Sequence, residues 1–328
     1  MNYLKICNFN IMSHSHSHFF FGDDSISESK EQYLNRYSTT FYIINTVIVN
    51  YNPIDILSLE EVTQESYNIL HPLISTYYHI YVSEITSPSG LGTLLVTGFN
   101  KITFPDKDLI QDLTSDFQKF YNNDSKPYPC RSQIYEINLR GTTIIYSHLH
   151  APGIPDDKIK TQYFSKVKEF INLRDKIHIL CGDFNEERID FLMSIFDQLK
   201  ILDDDRVTSY HKFTKNETGL YTENDNKYKR VDHILLSPNL NIESYHTIYN
   251  SKHYGLGNHF NGIIGDGSVN PYYKYQNIWY PHVNIYGGYI WPSDHTLNVY
   301  NIEVPHKIIS EGVAKKKSPK KKLAKKTS

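Results

Sequence analysis

Cysteine, methionine and tryptophan are scarce, at three, three and two in 328 residues. Cys7, Cys130 and Cys181 form an odd set without paired spacing. That argues against a disulfide framework and a cysteine-ligated zinc module, and for a reducing compartment. No run approaches the roughly 18 apolar residues that a membrane span requires. The start of the chain has one lysine and then mixed polar residues, so no secretory signal is expected. An intracellular protein, cytoplasmic or nuclear, is the corresponding expectation. No internal repeat is present.

One stretch concentrates positive charge with no acid to balance it. Residues 313–328 hold eight lysines and no Asp or Glu. The whole chain carries 34 basic and 36 acidic residues, so the remainder has roughly ten more acids than bases. The lysine-rich end reads as a solvated arm, suited to sequence-independent phosphate contact or to a nuclear address. Residues 1–312 read as one globular domain. Hydrophobic residues make up 39% and charged ones 21%, which fits a packed core rather than a disordered chain.

What the chain does have is a series of short polar motifs, each following an apolar run. Leu4 to Phe9 leads to Asn10, and Ile56 to Leu59 leads to Glu60 and Glu61. Ile144 to Ser147 leads to His148, and Ile177 to Cys181 leads to Gly182-Asp183-Phe184-Asn185. Val231-Asp232-His233-Ile234 follows, and Ser293-Asp294-His295 comes after a long insert. A strand that ends in a carboxylate, amide or imidazole is a rigid way to build a site.

Strand and helix signals alternate. Helices are expected near 29–49, on the stripe Tyr33, Tyr37, Phe41 and Ile44, and near 62–74. Ile159, Tyr163, Val167, Phe170 and Ile171 recur at helical spacing, as do Ile189, Leu192, Met193, Phe196 and Leu199. Residues 92–99 read as a strand. Residues 133–139 and 142–148 read as a hairpin through Arg140-Gly141. The pattern predicts sheets covered by helices.

The chemistry follows from residue type. Glu61, Asn10 and Asp294 are hard oxygen donors suited to Mg2+ or Mn2+. Such an ion neutralises charge on a phosphate and on a leaving oxygen. Asp183 and Asn185, two apart, would share a face if extended. They suit a group that takes a proton from water and one that holds the water. His295 can donate to a phosphate oxygen, with Asp232 behind it fixing the tautomer. His148 would be a second phosphate donor. Together these groups amount to metal-assisted phosphoester hydrolysis.

The ordered set NFN, LEEV, SHLH, GDFN, VDHI and SDH resembles the endonuclease/exonuclease/phosphatase superfamily. That group includes deoxyribonuclease I, abasic endonucleases, tyrosyl-DNA phosphodiesterases, deadenylases, sphingomyelinases and inositol-polyphosphate 5-phosphatases. The resemblance covers residues 4 to about 302. It implies an α/β four-layer sandwich, two mainly antiparallel sheets face to face with helices outside. It also implies Glu61 as metal ligand, with Asn10 and Asp294 near the metal. Asp183, Asn185, Asp232, His148 and His295 would be the catalytic set.

Four departures accompany the match. Glu60 stands where the family has Gln, Met12 where abasic endonucleases have an acid, and Phe184 where tyrosyl-DNA phosphodiesterases have Thr. The inositol phosphatase Cys-Asp-Arg triplet is missing. His150 shares a strand face with His148, and His148 is the favoured donor.

Each motif alone has a plain structural account, such as an Asx turn or a helix cap. Their conjunction in order does not. The leading expectation is a Mg2+- or Mn2+-dependent phosphodiesterase, a nuclease that cleaves DNA endonucleolytically or at lesions, ahead of RNA. It would act by in-line attack of an Asp-activated water, with nucleic acid as partner and the lysine tail as tether. A sphingomyelinase-like or inositol-phosphate enzyme, touching a membrane surface through the tail, stays open. So does a non-catalytic nucleic-acid-binding module. His14, His16 and His18 read as a polar loop or a chelating face. The aromatic stretch 245–291 reads as a packed insert or a base-stacking loop.

Overall fold

The computed structural model describes residues 2–11, 30–51, 53–86, 92–122, 128–202, 209–210, 214–215, 221–222, 228–248, 272–275, 278–281, 285–286, 289–290, 293 and 295–305. His14, His16, His18, Asp294 and the lysine-rich end lie outside the described residues, as does much of the aromatic insert.

Twelve strands form two six-stranded sheets. The first sheet takes β1 (Asn2–Asn10), β2 (Ile56–Val62), β3 (Tyr78–Thr86), β4 (Gly92–Asn100), β11 (Asn241–Ile248) and β12 (Leu297–Val304), in the order β11-β12-β1-β2-β4-β3. The second takes β5 (Ile110–Asp112), β6 (Ser132–Leu139), β7 (Thr142–His150), β8 (Ile177–Asp183), β9 (Lys200–Ile201) and β10 (Asp232–Leu236), in the order β5-β6-β7-β8-β10-β9. Each sheet has one parallel pair, β1 with β2 and β7 with β8, and is otherwise antiparallel. A parallel pair needs a crossover, and a helix supplies it in both cases. These are α1 (Lys30–Asn50) in the first and α4 (Asp157–Asn172) in the second.

Three apolar clusters define four layers. Leu4, Ile6, Ile56, Phe99, Tyr135, Ile144, Cys181, Ile234 and Ile302 fill the space between the sheets. Outside the first sheet, Phe9, Leu57, Leu59 and Val96 pack on α1 and on α2 (Gln64–Tyr77). Outside the second, Ile145, Leu149 and Leu180 pack on α3 (Thr114–Asn122), α4 and α5 (Ile189–Ile195). Both faces of the central strands are therefore buried, which explains their near-continuous apolar runs. On α4 the buried stripe is Tyr163, Phe164, Val167, Phe170 and Ile171, at roughly 2 kcal/mol gross for each side chain.

Local signals fix the ends. Thr63 and Ser66 form a capping box on α2, and the Asp156 carboxylate accepts from the amides of Lys158 and Ile159 at the start of α4. Arg140 and Gly141, with φ of 51° and 84°, make the β6–β7 hairpin turn. Two expectations shift. Phe196 and Leu199 do not extend α5; its helix ends at Ile195, and both side chains reach the core from a turn leading to β9. Tyr245 to Ile248, read with the insert, belong to edge strand β11.

Candidate active site

The inner faces of the sheets change character along their length. Read toward one end, β1 presents Leu4, Ile6, Asn8 and Asn10, and β7 presents Ile144, Tyr146, His148 and His150. In β8 the order is Ile179, Cys181, Asp183, and antiparallel β10 starts with Asp232 before Ile234 and Leu236. Period-two alternation keeps each series on one face. The polar end is where the carboxyl ends of both parallel pairs meet.

Asn10 lies at the centre. Its Nδ2 is 3.3 Å from Glu61 Oε1, 3.2 Å from Asp183 Oδ2 and 3.4 Å from His295 Nε2. His295 Nδ1 is 2.8 Å from Asp232 Oδ2, so the ring donates there and turns Nε2 toward the cluster. His295 Nε2 is 4.0 Å, and His150 Nδ1 3.7 Å, from Asp183 Oδ2. Asn185 Nδ2 donates to Asp183 Oδ2 at 3.1 Å and to the Ala151 carbonyl at 2.9 Å. Residues from both sheets, up to 285 apart in sequence, thus share one buried cluster.

Local backbone features aim these side chains. In β2, Glu60 and Glu61 together face a single residue of β4, a bulge that falls between Leu59 and Val62. Glu61 takes φ 54° there, and Asn185 takes φ 47° after β8. Left-handed non-glycine residues at a polar cluster are the strain expected of a functional site. Gly182 has φ 143°, and a Cβ on it would lie 1.9 Å from the Leu149 carbonyl oxygen. Only glycine lets β8 lie against β7 while turning Asp183 inward. Phe184 stacks on Phe164 of α4 at 5.8 Å, so the residue between Asp183 and Asn185 is a core anchor. Lys160 of α4 donates to the Asn185 carbonyl and, at 3.1 Å, to Glu186. Burial pushes Glu186 up, but hydrogen bonds from Arg188 and Lys160 outweigh it and hold the carboxyl at about 2. Ser293 Oγ donates to the Asn10 carbonyl at 2.6 Å, tying the turn before His295 to β1.

His148 is a correction. It is fully buried beneath the cluster, with Nε2 2.9 Å from Glu60 Oε1 and Nδ1 2.9 Å from Thr97 Oγ1. Gln133 donates Nε2–H to the Leu95 carbonyl, so its Oε1 accepts from the Thr97 hydroxyl at 2.6 Å. Thr97 has no second proton, so His148 Nδ1–H must donate to it. Burial, with the nearby His150, lowers His148 to about 3, so the ring is neutral and Nε2 is a bare acceptor. Glu60 must then be the donor. Burial, reinforced by Asp232 and Asp183, raises it well above its ordinary value. Glu60 and His148 form a buried pair that joins the two sheets. Two residues further along, at the strand end, His150 is the imidazole that meets Asp183. The sequence carried a signal for it only in the shared strand face.

The expected set therefore divides. Asn10, Glu61, Asp183, Asn185, Asp232 and His295 come together, His148 does not join them, and Asp294 lies outside the described residues. The cluster suits a divalent cation. Glu61, His150 and Asp183 offer ligand atoms within 4.8 Å of one another, all buried. Burial, with Asp232 and Glu61 as neighbours and with His295 and the Asn185 amide opposing, lifts Asp183 to about 7. Such crowding of carboxylates is what a cation relieves. Asn10 is a partial exception, because its amide nitrogen rather than its oxygen faces the two carboxylates.

A two-sheet sandwich with this cluster between its sheets is a candidate site for metal-assisted hydrolysis. The model of the Endonuclease/Exonuclease/phosphatase family matches residues 43–295, more than half of the chain. The chain belongs to that family, whose members are divalent-metal-dependent phosphoester hydrolases. Comparison with curated protein sequences returns no match. Among solved structures, TDP2 from Caenorhabditis elegans is similar at 15% identity and TM-score 0.54, covering 92% of this chain and 75% of that one. D. rerio TDP2, solved with a single-strand DNA product, is similar at 14% identity and TM-score 0.55, covering 93% and 100%. The mannosyl-6-phosphatase Bt3783 from Bacteroides thetaiotaomicron is similar at 12% and 0.52, covering 92% and 100%. At these identities the likeness is one of fold. No helix among the described residues is long and apolar enough to cross a membrane.

Proposed function

We propose that the chain is a Mg2+- or Mn2+-dependent phosphodiesterase that hydrolyses nucleic acid. One observation carries the reading: Asn10, Glu61, Asp183, Asn185, Asp232 and His295 meet at the polar end of the inter-sheet space. Glu61, with Asp294, would hold the cation, and Asn10 would orient the carboxylates. When bound, the cation neutralises charge on the phosphate and on the leaving oxygen.

The remaining steps belong to side chains. Asp183 takes the proton of the attacking water, and Asn185 holds that water in line with the leaving oxygen. His295 donates from Nε2 to a non-bridging phosphate oxygen as charge develops, with Asp232 on Nδ1 fixing the ring's orientation. His150, in place of His148, is the second phosphate donor. Residues 1–312 form the catalytic domain, and the lysine-rich residues 313–328 tether the enzyme to a polyanion. The DNA product held by D. rerio TDP2 supports the choice of nucleic acid.

A second reading, a phosphomonoesterase of small or lipid-borne phosphates, draws on the acidic body of the chain and on the Bacteroides sugar phosphatase of the same fold. A substrate panel separates the two. Single- and double-stranded, abasic and 5′-blocked oligonucleotides are incubated beside sphingomyelin, inositol phosphates and sugar phosphates, with Mg2+, Mn2+ or EDTA. Cleavage of oligonucleotides that EDTA stops is the expected result. Intact DNA and RNA beside a hydrolysed small ester or lipid would overturn the nucleic-acid reading.

A further inference from the structure

The groups of the proposed site come from different sheets. Asn10 and Glu61 stand on the first, and His150, Asp183 and Asp232 on the second. Their separation therefore depends on how far apart the sheets sit at that end. Elsewhere interdigitated apolar side chains set a spacing of about 10 Å. At the site end the inner faces are polar, and apolar packing cannot set it.

We propose that Glu60 and His148 form a strut that fixes this spacing and aims Glu61, making both of them positioning residues for the metal-holding carboxylate. Glu60 belongs to the first sheet and His148 to the second, and the 2.9 Å contact between them spans the gap. A second pair, Thr97 of the first sheet and Gln133 of the second, clamps the other edge of the imidazole. All four side chains are buried. The ring is thus held from both sheets and cannot tilt without breaking a hydrogen bond.

Glu60 is joined by one peptide to Glu61, inside the bulge where Glu61 takes its left-handed φ. A left-handed glutamate costs on the order of 1 kcal/mol and persists only where its surroundings over-determine it. Glu60 supplies that constraint on one side and the Asn10 amide on the other. Nothing in the strut touches substrate. Its contribution is the position of a neighbour, as with outer partners that orient metal ligands.

The inference rests on the metal-dependent reading above, and its test separates the two. Mn2+ binding to the full chain is titrated by electron paramagnetic resonance, with a thermal melt of each variant in EDTA. In E60Q the amide N–H still donates to His148 Nε2, and the dissociation constant is expected within about twofold of wild type. E60L removes the donor at similar volume and is expected to bind Mn2+ on the order of tenfold more weakly. The double variant E60L/H148F leaves no orphaned polar group from the pair, so it decides the matter if E60L fails to fold. It too is expected to bind roughly tenfold more weakly. A folded E60L or double variant with wild-type Mn2+ affinity would overturn the strut, as would E60Q weakened as much as E60L. Wild-type protein that binds no Mn2+ would instead overturn the functional reading, and the strut's role with it.

Discussion

Asp183→Asn should make the metal-free protein more stable at neutral pH while abolishing turnover. Asp183 is 1% exposed and lies beside the carboxylates of Asp232 and Glu61. Burial first, and those neighbours second, raise it from the ordinary 3.8 to about 7, with His295 opposing. A carboxyl raised on folding keeps its proton in the native state after the unfolded chain has lost it. Stability is then fully present below pH 3.8, declines as pH rises, and levels off above about 7. At ~1.4 kcal/mol per decade the span sets an upper limit of about 4 kcal/mol. That span already contains the opposition of His295 and Asn185, and a buried amide recovers only part of it, so on the order of 1–3 kcal/mol is the expected gain at pH 8. The assay is thermal unfolding of both proteins in EDTA at pH 5, 6, 7 and 8. The variant's advantage should grow with pH and then flatten. Saturating Mg2+ or Mn2+ should shrink it, because the cation binds wild type more tightly. A difference of constant size across this range, or a variant less stable at pH 8, would refute the reasoning.

Three further outcomes follow from the geometry. Gly182→Ala should cost more than about 3 kcal/mol, since its Cβ meets the Leu149 carbonyl oxygen at 1.9 Å; a wild-type melting temperature would contradict this. His150→Ala should lower kcat on oligonucleotides by about a hundredfold with little change in melting temperature, and unchanged turnover would remove His150 from the proposed machinery. Lys160→Met should cost roughly 3 kcal/mol, because it leaves the buried Glu186 with less positive charge. It should also lower kcat through Asn185, which steady-state kinetics beside a melt would register.

Most of the architecture was legible because both faces of the central strands are buried. Runs such as Ile177 to Cys181 could be little else once turn residues bounded them. The alternating helices then required crossovers, and two parallel pairs resulted. Helix α5 was over-read for a physical reason. Phe196 and Leu199 are core residues, but a turn can deliver side chains to a core at helical spacing without any helix. Chain periodicity reports burial and leaves the backbone path undetermined.

The site was legible in its residue types and less so in its depth. His148 and His150 are two apart on one strand face, so periodicity gives them the same direction. What separates them is how far along the inter-sheet space each one stands, which depends on the opposing sheet. Glu60 occupies the inner face opposite His148, so that imidazole is consumed between the sheets, while His150 stands at the strand end, level with Asp183. The adjacent glutamates pose the same problem. In a regular strand Glu60 and Glu61 would point to opposite faces, and one would face the α1–α2 layer. The bulge brings both to the site end, one as strut and one in the cluster. A bulge at acidic residues has no compositional mark when no glycine takes the left-handed position. The register of β2 against β4, a long-range property, therefore decides which carboxylate a cation can meet.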